Sequence, residues 1–166
     1  LVQVGDDFDP RRAARSREYM YRIWTPRWLS PFWRRYAWHH PRPLDIAAMQ
    51  TAAQHFLGEH DFSSVRAATC DAAHPVRRLD RSQVTYDNEA LLTYTVEGTA
   101  FLRHMVRNII GTLVEVGIGE RSAASIPALL ATRDRNQAGR TAPPQGLCLT
   151  TVRYDSHSNS VPVGTP

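Results

Sequence analysis

Arginine is the residue type in this chain whose number and spacing could do chemistry. All 20 basic residues are Arg, set against 16 acidic residues for a net charge of +4. A guanidinium grips phosphate or carboxylate through two parallel hydrogen bonds, so an all-arginine chain suits an anionic partner. The charge alone is weak evidence for nucleic acid, because a base-composition bias in the coding sequence gives the same result. Within TAFLRHMVRNIIGTLVEVGIG, Thr99 to Gly119, Arg103 and Arg107 are spaced to point the same way one helical turn apart. The pairs His39-His40 and His55/His60 lack partners at zinc-site spacing. Cys70 and Cys148 are far apart and fit free thiols in a reducing cytoplasm. There is no phosphate-binding glycine loop, no nucleophile elbow, and no aspartate in a setting that marks a catalytic carboxylate. Nothing reads as a signal peptide, and no apolar run is long enough to cross a membrane.

The elements that would position these arginines are legible in the periodicity. Leu102, Met105, Val106, Ile109, Ile110, Leu113 and Val114 form the buried stripe of an amphipathic helix over 99–119. Thr99 is its expected N-cap, and Gly117 and Gly119 its expected positive-φ exit. The opposite face, with Arg103, His104, Arg107, Asn108, Gly111, Thr112 and Glu115, reads as polar.

Upstream, LVQVGDDFDP enters as if a strand preceded it, and Arg11, Arg12, Arg15 and Arg17 lead into a strand over Glu18–Trp24. Tyr19, Tyr21 and Ile23 would share one face of that strand. The proline- and aromatic-rich loop that follows offers Trp28, Phe32, Trp33 and Trp38 either as a satellite apolar cluster or as a surface for stacking bases. A helix over Leu44–Gly58 starts at Asp45, with Leu44 and Met49 as a hydrophobic staple. DFSSVRAATC reads as extended, with Phe62 anchored and Arg66 projecting. Val76–Tyr86 and Ala90–Glu97 form a hairpin across Asp87 and Asn88. Ser122 caps a short helix through Leu130, Leu147–Tyr154 is a final strand, and residues 156–166 read as a tail without fixed structure. The residues by themselves thus give one α+β domain over 1–155, an antiparallel sheet with helices packed on one face.

The order of motifs goes further. FLRHMVRNIIGTLVEVG resembles the signature helix of the TruA-type tRNA pseudouridine synthases, Phe-x-x-x-Met-Val-Arg-Asn-Ile/Val-x-Gly. The same family's order is kept by DDF at Asp6–Phe8, Arg17-x-Tyr19-x-Tyr21-x-Ile23, GEHDF at 58–62, FSSVRAATC at 62–70, Pro75-x-Arg77, RDR at 133–135 and APPQGLCL at 142–149. The resemblance implies one half of a duplicated fold whose two α+β halves join their sheets, with the cleft where they meet. It also implies isomerisation of uridine to pseudouridine in the tRNA anticodon arm, a homodimer spanned by tRNA, a cytoplasmic location, and no metal or organic cofactor.

That resemblance assigns roles to residues. Tyr19 corresponds to the tyrosine that packs against the target base, and Arg107 to the arginine paired with the catalytic aspartate. Arg66, Arg77, Arg103 and Arg135 are candidates for tRNA backbone contacts. The family's nucleophile lies in an Arg-Thr-Asp-Ala-Gly-Val-His type motif, which these 166 residues do not contain. The chain is therefore expected to be the C-terminal part of such an enzyme, inactive alone. A non-catalytic tRNA-binding module and a dimerisation domain are the alternatives. Arg103, where the family often has His, and Asp9-Pro10, where it often has His-Ala, are departures from the pattern. A lone half would also leave an unpaired strand edge and an exposed apolar patch.

Overall fold

The computed structural model describes residue 6 and residues 8–87 and 90–154. Asp7 of the DDF motif, Asn88 of the hairpin turn, the first five residues and the tail expected over 156–166 lie outside the described residues.

The described residues form a six-stranded sheet. The strands are β1 (Ala14–Trp24), β2 (Trp38–His39), β3 (Gly58–Asp61), β4 (Val76–Tyr86), β5 (Leu91–Gly98) and β6 (Leu147–Tyr154). The helices are α1 (Ile46–Gln54), α2 (Met105–Gly117) and α3 (Ile126–Thr132). The sheet runs β2-β1-β5-β4-β3, with β6 also paired to β1. All pairings are antiparallel except the two-residue parallel contact of β2 with the end of β1. The expected α+β architecture is the one observed, and β6 has the bounds read from the sequence.

Register explains which face is buried. Tyr21 pairs with Tyr94 and Tyr94 with Val84, so three apolar side chains line up across β1, β5 and β4. Their neighbours Arg22, Thr93 and Thr85 line up on the other face. Between Leu79 and Arg81 the ladder slips, leaving Asp80 as an extra residue. This bulge lets Leu79 face the core together with Ser82 and Val84, which strict alternation from Leu79 would not allow. Helix α1 packs on β4 and α2, and its Gln50 and Gln54 amides donate to the Val84 and Ser82 carbonyls. The buried Ser82 hydroxyl donates to the Ala53 carbonyl at 2.7 Å and lies 2.9 Å from the Tyr94 hydroxyl.

Several local readings are corrected. Helix α2 begins at Met105, not near Thr99, because His104 is left-handed at φ 61 and the Arg103 carbonyl is taken by the Ala67 amide at 2.8 Å. Gly119 has the expected positive φ of 78, but Gly117 does not. A Cβ on Gly117 would lie 2.7 Å from Met49 Sδ and 2.9 Å from Leu44, so that glycine is needed for close packing. Asp45 does cap α1, accepting from the Ala48 amide at 2.9 Å, but the helix ends at Gln54, and Gly58, at φ 90, opens β3. Residues Ser63–Val65 form a 3-10 turn where an extended segment was expected, although Phe62 is fully buried as read. Ser122 precedes a 3-10 turn over Ala123–Ser125, and α3 starts after Ser125 with Pro127 in its first turn. The aromatic loop divides. Trp38 is buried in β2, Trp33 stacks on Trp24 at 6.1 Å, and Trp28 and Phe32 stand in solvent.

Candidate active site

Strand β1 and the turn before α2 face each other across a hollow of about 540 Å³. Tyr19, Arg11, Phe101, Arg103, His104 and Arg107 line it, with Pro144 and Leu147 closing one side. Tyr19 lies on the core side of β1 by its alternation with Tyr21 and Ile23, and its ring meets Phe101 edge-on at 5.0 Å. The structure thus brings Tyr19, Arg103 and Arg107 together. Arg103 arrives by a route other than the one expected, since it belongs to the turn and not to the helix.

Arg107 is held by two contacts to one residue. Its Nε donates to the Ala142 carbonyl at 2.6 Å, and its own carbonyl accepts from the Ala142 amide at 3.0 Å. Among the described residues it has no acidic partner. Among the described residues no Asp or Glu lines this hollow, whereas three arginines do. Three guanidinium groups suit an anion there, either a phosphate or a carboxylate.

The wall behind Arg107 is built by the segment after α3. Asn108, Gly111 and Thr112, on the polar face, are buried, because residues 135–142 lie across them. A Cβ on Gly111 would stand 1.7 Å from the Arg140 carbonyl oxygen, so helix and segment meet backbone to backbone. Asn108 donates to the Val65 carbonyl and accepts from Arg135 and Thr141. Arg135 also donates to the Ala138 carbonyl, so its described bonds organise this segment. It opens on a neighbouring hollow of about 480 Å³, which shares His104 with the first. Arg66 and Arg77 line neither hollow. Arg66 donates to the Ala72 carbonyl, and Arg77 to the carbonyls of His74 and Val76.

Tyr21 and His104 complete the electrostatics. Burial pushes the Tyr21 hydroxyl well above its ordinary pKa, and the nearby Arg107 only partly offsets this. It therefore stays protonated and donates to the Pro143 carbonyl at 2.7 Å, fixing the segment beside the hollow. Desolvation, then the charges of Arg107, Arg103 and Arg135, lower the His104 pKa and favour its neutral ring.

A third hollow, about 810 Å³, adjoins the first along Tyr19, Phe101 and Arg11 and adds Arg12 and Arg17. Of the basic run at 11–17, only Arg17 is linked to Tyr19 by a motif, and Arg11 and Arg12 read from the sequence as charge alone. Arg17 ties the run in place by donating to the Thr99 and Arg11 carbonyls. The one carboxylate lining it among the described residues, Asp9, is already engaged by Arg12 at 3.4 Å and by the Arg11 amide. His39 and His60 each lie within hydrogen-bond distance of a backbone carbonyl, Pro26 and Leu57 respectively.

The fold and hollow define an α+β protein with an arginine-lined hollow at a sheet-to-helix junction. Residues 52–155 match the family model described as tRNA pseudouridine synthase, and the chain belongs to that family. It is 49% identical over 165 residues to a tRNA pseudouridine synthase A of Myxococcus xanthus, covering 99% of this chain and 62% of the relative. With the protein of that name from Geotalea uraniireducens the identity is 48%, covering 92% and 62%; with that from Methylobacterium nodulans it is 44%, covering 97% and 63%. The chain thus spans about three fifths of the length of the curated relatives it matches.

Proposed function

We propose that this chain supplies one wall of the active site of a tRNA pseudouridine synthase, with Tyr19 against the target uracil and Arg107 paired to a catalytic aspartate from polypeptide outside these residues. The observation that carries this is the shared hollow, in which Arg107 is anchored through Nε while its two terminal nitrogens have no acidic partner among the described residues. An aspartate entering there would meet a fixed guanidinium, stay ionised and be aimed along one direction. The reaction breaks the bond from uracil N1 to ribose C1′ and rejoins C1′ to C5. C5 gives up its proton and N1 gains one, so the product is an isomer of the substrate. The Tyr19 hydroxyl, which makes no hydrogen bond to a described residue, is available to that proton movement.

On this reading Arg103 contacts the tRNA backbone from the hollow's rim, and Arg66 and Arg77 contact it elsewhere. Arg135 contributes through its Nε edge and by holding the wall. The substrate is the tRNA anticodon arm, the assembly is a homodimer, and the place of action is the cytoplasm. A binding module without turnover is the second reading, favoured by the lack of a carboxylate in the hollow among the described residues.

The test is tritium release from tRNA carrying 5-tritiated uridine, using the product of the complete reading frame. Arg107→Ala is expected to lower kcat by about 10²-fold or more, the usual cost of losing one preorganised charge partner. Arg107→Lys keeps charge without the fork and is expected to remain low. Wild-type turnover at the rate of Arg107→Ala would exclude the assignment. Turnover by these 166 residues alone would show that no outside aspartate is needed.

A further inference from the structure

Between Glu18 and Asp45 the chain holds five arginines and not one carboxylate. Arg27, Arg34, Arg35 and Arg42 are exposed, and none forms an ion pair among the described residues. Interleaved with them are Trp28, Phe32 and Tyr36, which are 77%, 86% and 61% exposed. Single exposed apolar residues are ordinary, but three large aromatic rings in so short a stretch mark a contact surface. The loop that carries them is tied down. Trp24 Nε1 donates to the Trp28 carbonyl at 2.8 Å, Trp33 stacks on Trp24, and the His40 amide donates to the Trp24 carbonyl at 2.9 Å. Amides of Arg34 and Tyr36 close turns onto Ser30 and Trp33. The Arg27 guanidinium lies 5.1 Å from the centre of the Trp28 ring, so charge and π-face are presented together.

We propose that residues 25–37 form a second RNA-binding surface, where unpaired bases stack on Trp28, Phe32 and Tyr36 while Arg27, Arg34 and Arg35 neutralise the adjoining phosphates. Duplex RNA hides the faces of its bases, so the ligand class is single-stranded RNA. A second copy of this chain is disfavoured by charge, since the patch would meet its own uncompensated arginines. Trp24 lies five residues beyond Tyr19 on β1, about 16 Å along an extended strand. RNA reaching both places therefore extends past the nucleotide in the hollow. The proposal takes from the preceding section only the premise that RNA is the partner, and its test needs no turnover.

The probe is an oligouridylate of about ten nucleotides, long enough to span several stacked bases. Added to the product of the complete reading frame, it is expected to quench tryptophan emission, and Trp28→Phe to remove most of that quenching. Trp28→Ala with Phe32→Ala should raise the Kd by about 5-fold or more. Arg34→Gln with Arg35→Gln should reduce the slope of log K against log salt by about 1.4. All four tryptophans lie between positions 24 and 38 and none lines the hollow, so the quenching reports this surface, which separates its failure from failure of the hollow. Undiminished affinity in the double aromatic variant would overturn the proposal. So would a variant that keeps its RNA affinity but loses a dimer in sedimentation, which would assign the surface to a second copy.

Discussion

Gly111 has no side chain because the Arg140 carbonyl occupies the place where one would begin. Gly111→Ala is expected to cost about 3 kcal/mol or more by forcing the 135–142 segment off α2; a urea midpoint equal to that of wild type would contradict this. His40 makes a different kind of prediction. Its ring is buried with Nε2 unpartnered, and burial, followed by the charges of Arg140, Arg42 and His39, lowers its pKa. The unfolded chain then binds its proton first, near the ordinary histidine value of about 6.5. The stabilising contribution is complete above that pH and is lost as pH falls through the lower folded value. His104 titrates with the same sign. Urea midpoints should therefore drop between about pH 7.5 and 5.5, and His40→Leu should flatten the drop. An equal drop in that variant would assign it to other groups.

At the scale of elements, Asp80 sets the phase of β4. Deleting it should put Leu79 or the Ser82–Val84 pair on the wrong face, at a cost of about 3 kcal/mol or more; unfolding calorimetry that returns an unchanged Tm would refute this. What could be read beforehand follows a physical line. β6, the β4–β5 hairpin and the Asp45 cap come from alternation, turn chemistry and capping, which act over a few residues. The start of α2 could not be read, because it depends on the Ala67–Arg103 hydrogen bond between segments far apart in sequence. The same holds for the buried Asn108 and Thr112. Helical periodicity gives a polar residue a face, but says nothing of a later segment that covers that face. Of the site, bare residue chemistry gave an arginine-bearing helix. Arg107 and Tyr19 became specific only through the ordered motifs, and the contribution of Arg11 and Phe101 required the tertiary packing of β1 against the turn at 99–104.

For the whole molecule, β6 borders the sheet. Among the described residues it pairs with β1 alone, and Leu149 and Tyr154 are 48% and 38% exposed. An open edge beside an exposed leucine invites another strand. Sedimentation velocity should show concentration-dependent association of these 166 residues, reduced by Leu149→Lys. A monomer at every concentration would dispose of the idea.

The double attachment of Arg107 to Ala142 has a mechanical result. Side-chain swing and loop displacement cannot occur independently, so an incoming anion meets a stiff anvil and not a closing jaw. Movement that widens the hollow falls instead to the turn before α2, where His104 sits in a left-handed conformation that few side chains adopt.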